Sequence, residues 1–137
     1  MKKTIAVFFI FIASISLSHA DNYYDPADTT LYSQCIENSD GSTSSLRECD
    51  DAESDRLDKI LNKSYKRIMN SNISSQEKEK IRNMQRTWLS YRKQYIDILT
   101  QYVTDGTLGP LTIDINYTSI LRSQAIQILK LEKEIFD

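Results

Sequence analysis

Apolar residues recur at helical spacing along most of the chain, with polar residues between them. In the stretch from Ser45 to Asn70, the apolar side chains fall on one stripe, made of Leu57, Ile60, Leu61, Tyr65, Ile68 and Met69. After Ser74 they recur at spacings of three and four, at Ile81, Met84, Trp88, Tyr91, Tyr95, Ile98 and Tyr102. This period is typical of an amphipathic α-helix with one covered face. The pattern predicts two long helices, and we expect the second to pack against another helix along its whole length.

Polar clusters predict where these two helices begin and end. The segments 45–48 (SLRE) and 74–77 (SSQE) both fit a capping box, in which a serine and a glutamate cap each other's backbone N–H groups. We therefore expect the first helix to run from near Ser45 to about Asn70 and the second to begin at Ser74. Asp105-Gly106 would end the second helix, because glycine commonly follows a helix C-terminus.

A third long helix is predicted near the C-terminus. Thr118 or Ser119 could cap it, and its inward residues would be Leu121, Ala125, Ile128, Leu129 and Ile135. The residues before it, Gly106 to Asn116, are then expected to form the main loop. Within that loop 111–115 (LTIDI) alternates over only five residues, and no other strand pattern competes.

The first twenty residues have the pattern of a cleaved secretory signal. Lys2 and Lys3 precede an apolar run, and 18–20 (SHA) ends in small residues. The run is about fourteen residues long, shorter than the roughly twenty that a membrane span needs. We therefore expect removal of residues 1–20, a single mature domain of residues 21–137, a periplasmic or secreted location, and no membrane span after cleavage.

Cys35 and Cys49 are the only cysteines, and a single pair in an exported chain is expected to form a disulfide. A redox role is disfavoured, because the spacing is not Cys-x-x-Cys and no basic or histidine neighbour would activate a thiolate. These elements predict an all-α fold: a small antiparallel helical bundle of three main helices, one disulfide, and a short N-terminal arm or helix around Thr30 to Glu37. Residues 21–34 are expected to be loosely held.

Charge and histidine content exclude several kinds of function. Removal of the two signal lysines changes the net charge from −2 to −4, which disfavours nucleic-acid binding. The only histidine, His19, leaves with the signal, so the mature chain has no imidazole for nucleophilic catalysis or for a zinc site. We expect no metal and no cofactor.

Paired carboxylates could still support glycosidase-like chemistry. The acidic residues Asp50, Asp51, Glu53 and Asp55 fall on a polar helix turn that the sequence predicts to be exposed. We expect them to form a solvated surface rather than a catalytic pair, and we expect the protein not to be an enzyme.

The segment 85–92 (QRTWLSYR) carries the only tryptophan between arginines. It follows the cysteine pair and 61–65 (LNKSY), and it precedes Gly106-Thr107 and an arginine on the last helix. In this order the residues resemble the LprI-like lysozyme-inhibitor family of small secreted bacterial proteins. The matching positions are Leu61, Asn62, Tyr65, Gln85, Arg86, Trp88, Arg92, Gly106 and Arg122.

The resemblance implies a protein that binds and inhibits a lysozyme stoichiometrically in the cell envelope. The chain departs from the family in lacking a second cysteine pair. Tyr95 stands near one of the missing cysteines, and Asp114 or Ile115 near the other. This loss is expected to loosen the loop from Gly106 to Asn116.

The matching residues also have structural interpretations, which we favour. Trp88 has the spacing of a core residue, and Arg92 could pack its stem on the tryptophan ring. Asn62 and Gln85 could hydrogen-bond to each other across the two long helices.

Four other residues are candidates for contact with a protein partner: Tyr23, Tyr24, Arg47 and Tyr117. The partner is expected to be a basic lysozyme, which a negatively charged protein would attract. The alternative is an envelope interaction protein or a toxin-immunity protein without lysozyme inhibition. The sequence leaves open the lysozyme class and the oligomeric state.

Overall fold

The computed structural model describes residues 24–103 and 106–137, and every regular element in these two ranges is an α-helix. The helices are α1 (Thr30–Asn38), α2 (Thr43–Met69), α3 (Ser75–Tyr102) and α4 (Leu108–Phe136). A disulfide joins Cys35 of α1 to Cys49 of α2. The predicted all-α fold, with three long helices, one short helix and one disulfide, is therefore confirmed. The predicted signal peptide lies outside the described residues.

The core lies between α2 and α4, which run side by side in the same direction. Early residues of α2 meet early residues of α4, as in the hydrogen bond between Ser54 and Thr118, and late residues meet late ones, as in the ion pair of Arg67 with Glu132. α3 runs antiparallel to both. The buried apolar cluster is Leu57, Leu61, Ile68, Leu121, Ala125 and Ile128. The predicted inward faces of these two helices are therefore correct except at Leu129, which is only half-buried and lies outside this cluster.

α3 packs less closely than its apolar pattern predicts. None of its residues, all of which are described, is buried, and only Ile81 and Trp88 pack against the core cluster. Five side chains of the predicted inner stripe are exposed: Met84, Tyr91, Tyr95, Ile98 and Tyr102. The exposed fraction of Tyr102 is 82%. The prediction of a face covered along its whole length is therefore wrong. α2 and α4 cover each other directly, which leaves α3 only a narrow strip of apolar surface.

α4 begins about ten residues before the predicted third helix. Leu108 is its first residue, and Pro110 lies in the first turn, where its missing N–H would have no helical partner in any case. The predicted loop from Gly106 to Asn116, the cap at Thr118 or Ser119 and the weak strand are therefore wrong. The turn itself has Gly106 at a φ of +88°, a conformation that favours glycine. Asp105 lies outside the described residues.

Serine caps begin the other two long helices. Ser74 and Glu77 cap each other's backbone N–H groups at 2.9 and 3.2 Å, which confirms the second capping box. α2 begins slightly earlier than predicted, because Ser42 is its cap and accepts the Ser45 N–H. Asp40 accepts hydrogen bonds from Ser45 and Ser42, which lower the pKa of its carboxyl to about 2.

Glu53 is buried at the centre of an ionic network. Its carboxylate accepts two hydrogen bonds from Arg56 at 2.8 Å and pairs with Arg122 of α4 at 2.7 Å. The same two arginines donate to backbone carbonyls of the N-terminal segment, at Asp25, Pro26 and Asp28. The prediction that this segment is loosely held is therefore wrong for the described part, residues 24–34.

Asp50 is also buried, with 2% of its surface exposed, and the Oδ2 atom of its carboxyl has no hydrogen-bond partner among the described residues. Burial raises the pKa of the Asp50 carboxyl, and the neighbouring side chains of Thr118 and Tyr32 oppose that shift. The prediction that all four acidic residues are solvated is therefore wrong for Asp50 and Glu53. Asp51 and Asp55 are exposed, whereas Asp50 and Glu53 point inward, because the apolar stripe of α2 gives way to polar residues at this end of the α2–α4 contact.

Replacing Glu53 with glutamine should lower the free energy of unfolding by about 3 kcal/mol or more, because it removes the anion that compensates two arginines at a buried site. Urea denaturation followed by circular dichroism measures this loss. Arg47→Ala is the matched control, since it breaks a 2.6 Å ion pair with Asp114 in which the arginine is exposed, and its effect should be much smaller. Equal losses in the two variants would contradict a special role for the buried network.

Asp50 gives a pH-dependent prediction. Because its pKa is raised in the folded protein, the folded state binds more protons than the unfolded state between the ordinary carboxyl pKa of 3.8 and the raised value. The contribution of Asp50 to stability therefore grows as the pH falls through this window. The unfolding free energy of wild type should rise relative to that of Asp50→Asn between pH 7 and pH 4, and a constant difference would show that the shift is absent.

Candidate functional site

An open groove of about 300 Å³ lies between α2 and α3. α2 lines it with Asp58, Leu61, Asn62 and Tyr65, and α3 lines it with Arg82, Gln85, Arg86, Trp88, Leu89 and Arg92. A short turn joins these two helices, but each of them packs mainly on α4. Their facing sides therefore make few contacts with each other, which leaves the groove between them. We call this cavity the α2–α3 groove.

Seven of the nine positions that resemble the inhibitor family line this one groove. They come from two short segments, 61–65 and 85–92, in which spacings of three and four residues place side chains on one side of each helix. The other two positions lie elsewhere. Gly106 forms the turn before α4, and Arg122 holds Glu53 and the carbonyl of Pro26.

Arg92 joins α3 to α4 through aromatic rings. Its guanidinium lies 4.7 Å from the ring centroid of Trp88 and 4.7 Å from that of Tyr117 on α4. A cation between two ring faces is attracted by both, by about 0.5 to 2 kcal/mol for each contact. Trp88 is half-buried at the edge of the core, and Arg92 fixes its ring at one end of the groove.

The two amides do not pair with each other as the sequence suggested. Gln124 of α4 donates to Gln85 at 2.8 Å, while Asn62 donates to Asp58 of its own helix at 2.8 Å. Gln85 therefore specifies how α3 sits on α4. Asn62 remains exposed at the rim of the groove and holds its neighbouring carboxylate in place.

Arg82 and Arg86 give the groove its positive charge. Arg82 pairs closely with Glu79, whose carboxylate also lies 3.7 Å from Arg86. The Arg86 side chain is 66% exposed, and its Nη1 donates to Asn83 at 3.2 Å. Counting Arg92, three guanidinium groups line the groove against a single carboxylate, that of Asp58.

Near the place where the resemblance implies a second disulfide, this chain has a polar contact between α3 and α4. The hydroxyl of Tyr95 on α3 donates to Asn116 on α4 at 3.4 Å. Since 108–116 is helical, the expected loosening of a loop at this place does not apply.

Of the four residues considered for partner contact, the three that the structure describes do not lie together. Tyr24 lies beneath the ammonium of Lys63, 4.3 Å from its ring centroid, and Arg47 pairs with Asp114 near the other end of α2. Tyr117 packs between Arg92 and the core. Tyr23 lies outside the described residues, so contact through these four residues stays a prediction.

The groove is lined by a single carboxylate, that of Asp58. Its one carboxylate cannot form the acid and base pair that glycosidases use. Among the described residues, no cluster of three or more histidine, cysteine or acidic side chains could hold a metal ion. Sequence reasoning selected seven of the lining residues but missed Asp58, Arg82 and Leu89. Asp58 and Arg82 lie outside the two motif segments, and Leu89 lies within 85–92 at a position that the resemblance does not use.

The Arg92 contact predicts a specific loss of stability. Arg92→Lys keeps the charge but loses the planar group that lies between the two rings, so the free energy of unfolding should fall by about 1 kcal/mol. Thermal denaturation followed by Trp88 fluorescence measures it. Lys93→Ala, which breaks an exposed ion pair with Asp97 on the same helix, should leave stability nearly unchanged. If both variants unfold like wild type, the ring contacts do not stabilise the helix pair.

Comparison with known proteins identifies one family. The family profile described as Lysozyme inhibitor LprI matches residues 35–127, which include the disulfide, both motif segments and Arg122. No curated protein and no solved structure matches the chain. Because the match spans more than half of the 137 residues, the chain belongs to the LprI lysozyme inhibitor family.

Proposed function

We propose that this protein inhibits a lysozyme by binding it stoichiometrically, without catalysing a reaction itself. The observation that carries the proposal is the convergence of the family's motif residues on one open groove. Residues needed only for the core would be buried, whereas Asn62 and Arg86 are exposed at its rim. Family membership supplies the class of partner, and the single carboxylate of the groove is consistent with a binding role.

We place this activity in the bacterial periplasm or outside the cell. The signal-like pattern of residues 1–20 and the disulfide between Cys35 and Cys49 both support an oxidising, exported location. No helix in ranges 24–103 and 106–137 has the length and apolar character needed to cross a membrane.

The negative net charge of the protein favours its encounter with a basic lysozyme. With residues 1–20 removed the net charge is −4, and lysozymes are generally basic. Opposite net charges raise the association rate, and salt screens them over a Debye length of about 8 Å at physiological ionic strength. Binding should therefore be faster at low salt.

Titration of oxidised residues 21–137 against c-, g- and i-type lysozymes tests the proposal. With one class we expect saturable binding at a one-to-one ratio and loss of cell-wall lysis in proportion to the lysozyme bound. Calorimetry measures the binding, and the clearing of a cell-wall suspension measures the lysis.

Two outcomes would contradict the proposal. Absence of binding to all three classes would exclude the lysozyme as partner and leave an envelope interaction or toxin-immunity role. Binding that leaves lysis unchanged would show that the surface of the enzyme that is contacted lies away from its cleft.

A further inference from the structure

We infer that the α2–α3 groove is the partner-binding surface and that it takes an acidic segment of the partner protein, with Arg86 as the main contact. This inference rests on the proposed function for the identity of the partner. The chemistry of the occupant follows from the charges that line the groove.

The groove has a small excess of positive charge on a negative protein, because its three arginines face two carboxylates, those of Asp58 in the lining and of Glu79 beside it. Three arginines line it, and the one lining carboxylate, Asp58, is held by the amide of Asn62. The mature chain as a whole carries a net charge of −4. A local excess of guanidinium groups on such a chain complements carboxylates, which arginine binds in a two-pronged geometry.

Arg86 is the arginine best placed to reach a partner. Arg92 is engaged by two aromatic rings, and Arg82 is in close contact with Glu79. Arg86 reaches the same carboxylate only at 3.7 Å and otherwise donates to Asn83, although a guanidinium carries five N–H donors. Its contacts are with its own helix, so its side chain carries no packing between helices.

The floor of the groove suits protein binding. Leu89 is 44% exposed, and Trp88 lies beside it with its ring held by Arg92. Tryptophan and arginine around an apolar centre are enriched among the residues that contribute most to protein interfaces. An acidic segment would set its carboxylates on the arginines and its apolar atoms on Leu89.

The other large cavity does not compete for this role. It has a volume of about 320 Å³ and lies beside the disulfide between α1 and α2. Its buried charged groups, Glu53 and Arg56, bind each other and the N-terminal segment. They therefore serve the fold.

Charge reversal at Arg86 tests the inference. Arg86→Glu should weaken binding to the lysozyme that wild type inhibits by at least tenfold. Lys80→Glu is the matched control, because it makes the same change in net charge at an exposed position of α3 outside the groove, and it should weaken binding less than threefold. Both changes increase the general attraction to a basic enzyme, so a loss confined to Arg86→Glu reports a direct contact.

A second measurement works without any lysozyme. The chain has one tryptophan, Trp88, and it lines the groove, so its fluorescence reports occupancy directly. Titration with hexaglutamate, which has no aromatic group, at about 10 mM salt, where the Debye length is about 30 Å, should change the emission of wild type and Lys80→Glu. The change should be lost in Arg86→Glu and at high salt.

These outcomes separate the inference from the proposed function. If wild type inhibits a lysozyme and Arg86→Glu, folded by circular dichroism, inhibits it equally, the groove is not the binding surface, although the function stands. If no lysozyme binds, the proposed function fails, and the hexaglutamate titration alone decides about the groove. No fluorescence response in wild type would then overturn the inference.

Discussion

The buried carboxylate of Glu53, held between Arg56 of its own helix and Arg122 of α4, is the interaction on which the rest of the structure depends. One anion binds two cations, and each cation also binds backbone carbonyls of the N-terminal segment. Removing three charges from water is costly, and only close geometry with further hydrogen bonds compensates for it. The network therefore fixes the register of α2 against α4 and holds the N-terminal segment on both.

The position of α3 follows from that pairing. Since α2 and α4 cover each other's apolar stripes, α3 is held by a small set of contacts, chiefly Arg92 between Trp88 and Tyr117 and the bond between Gln85 and Gln124. The same contacts leave the α2–α3 groove open. A helix that is fixed at a few points and exposed elsewhere suits the binding role proposed here, because a surface that is shaped in advance needs less ordering on association.

The motif residues divide into two roles. Leu61 lies in the core, and Gln85, Trp88, Arg92 and Arg122 hold helices or segments together. Arg86 and Asn62 lie at the rim of the groove and make contacts only within their own helices. Family resemblance alone does not separate these roles, because both keep the residue type at a given position. The hydrogen bonds and ring contacts separate them.

The sequence by itself determined the helical class, the disulfide, the cap at Ser74 and the inward residues of α2 and α4, because these depend on local spacing and on chemistry within one turn of helix. It also brought forward the residues of the groove through their resemblance to a family. The tertiary structure decided what depends on which faces meet. It showed that α4 begins at Leu108, that Asp50 and Glu53 point inward, and that the stripe on α3 is largely exposed. An apolar period indicates a face that could be covered, but only the packing of the other helices decides whether anything covers it.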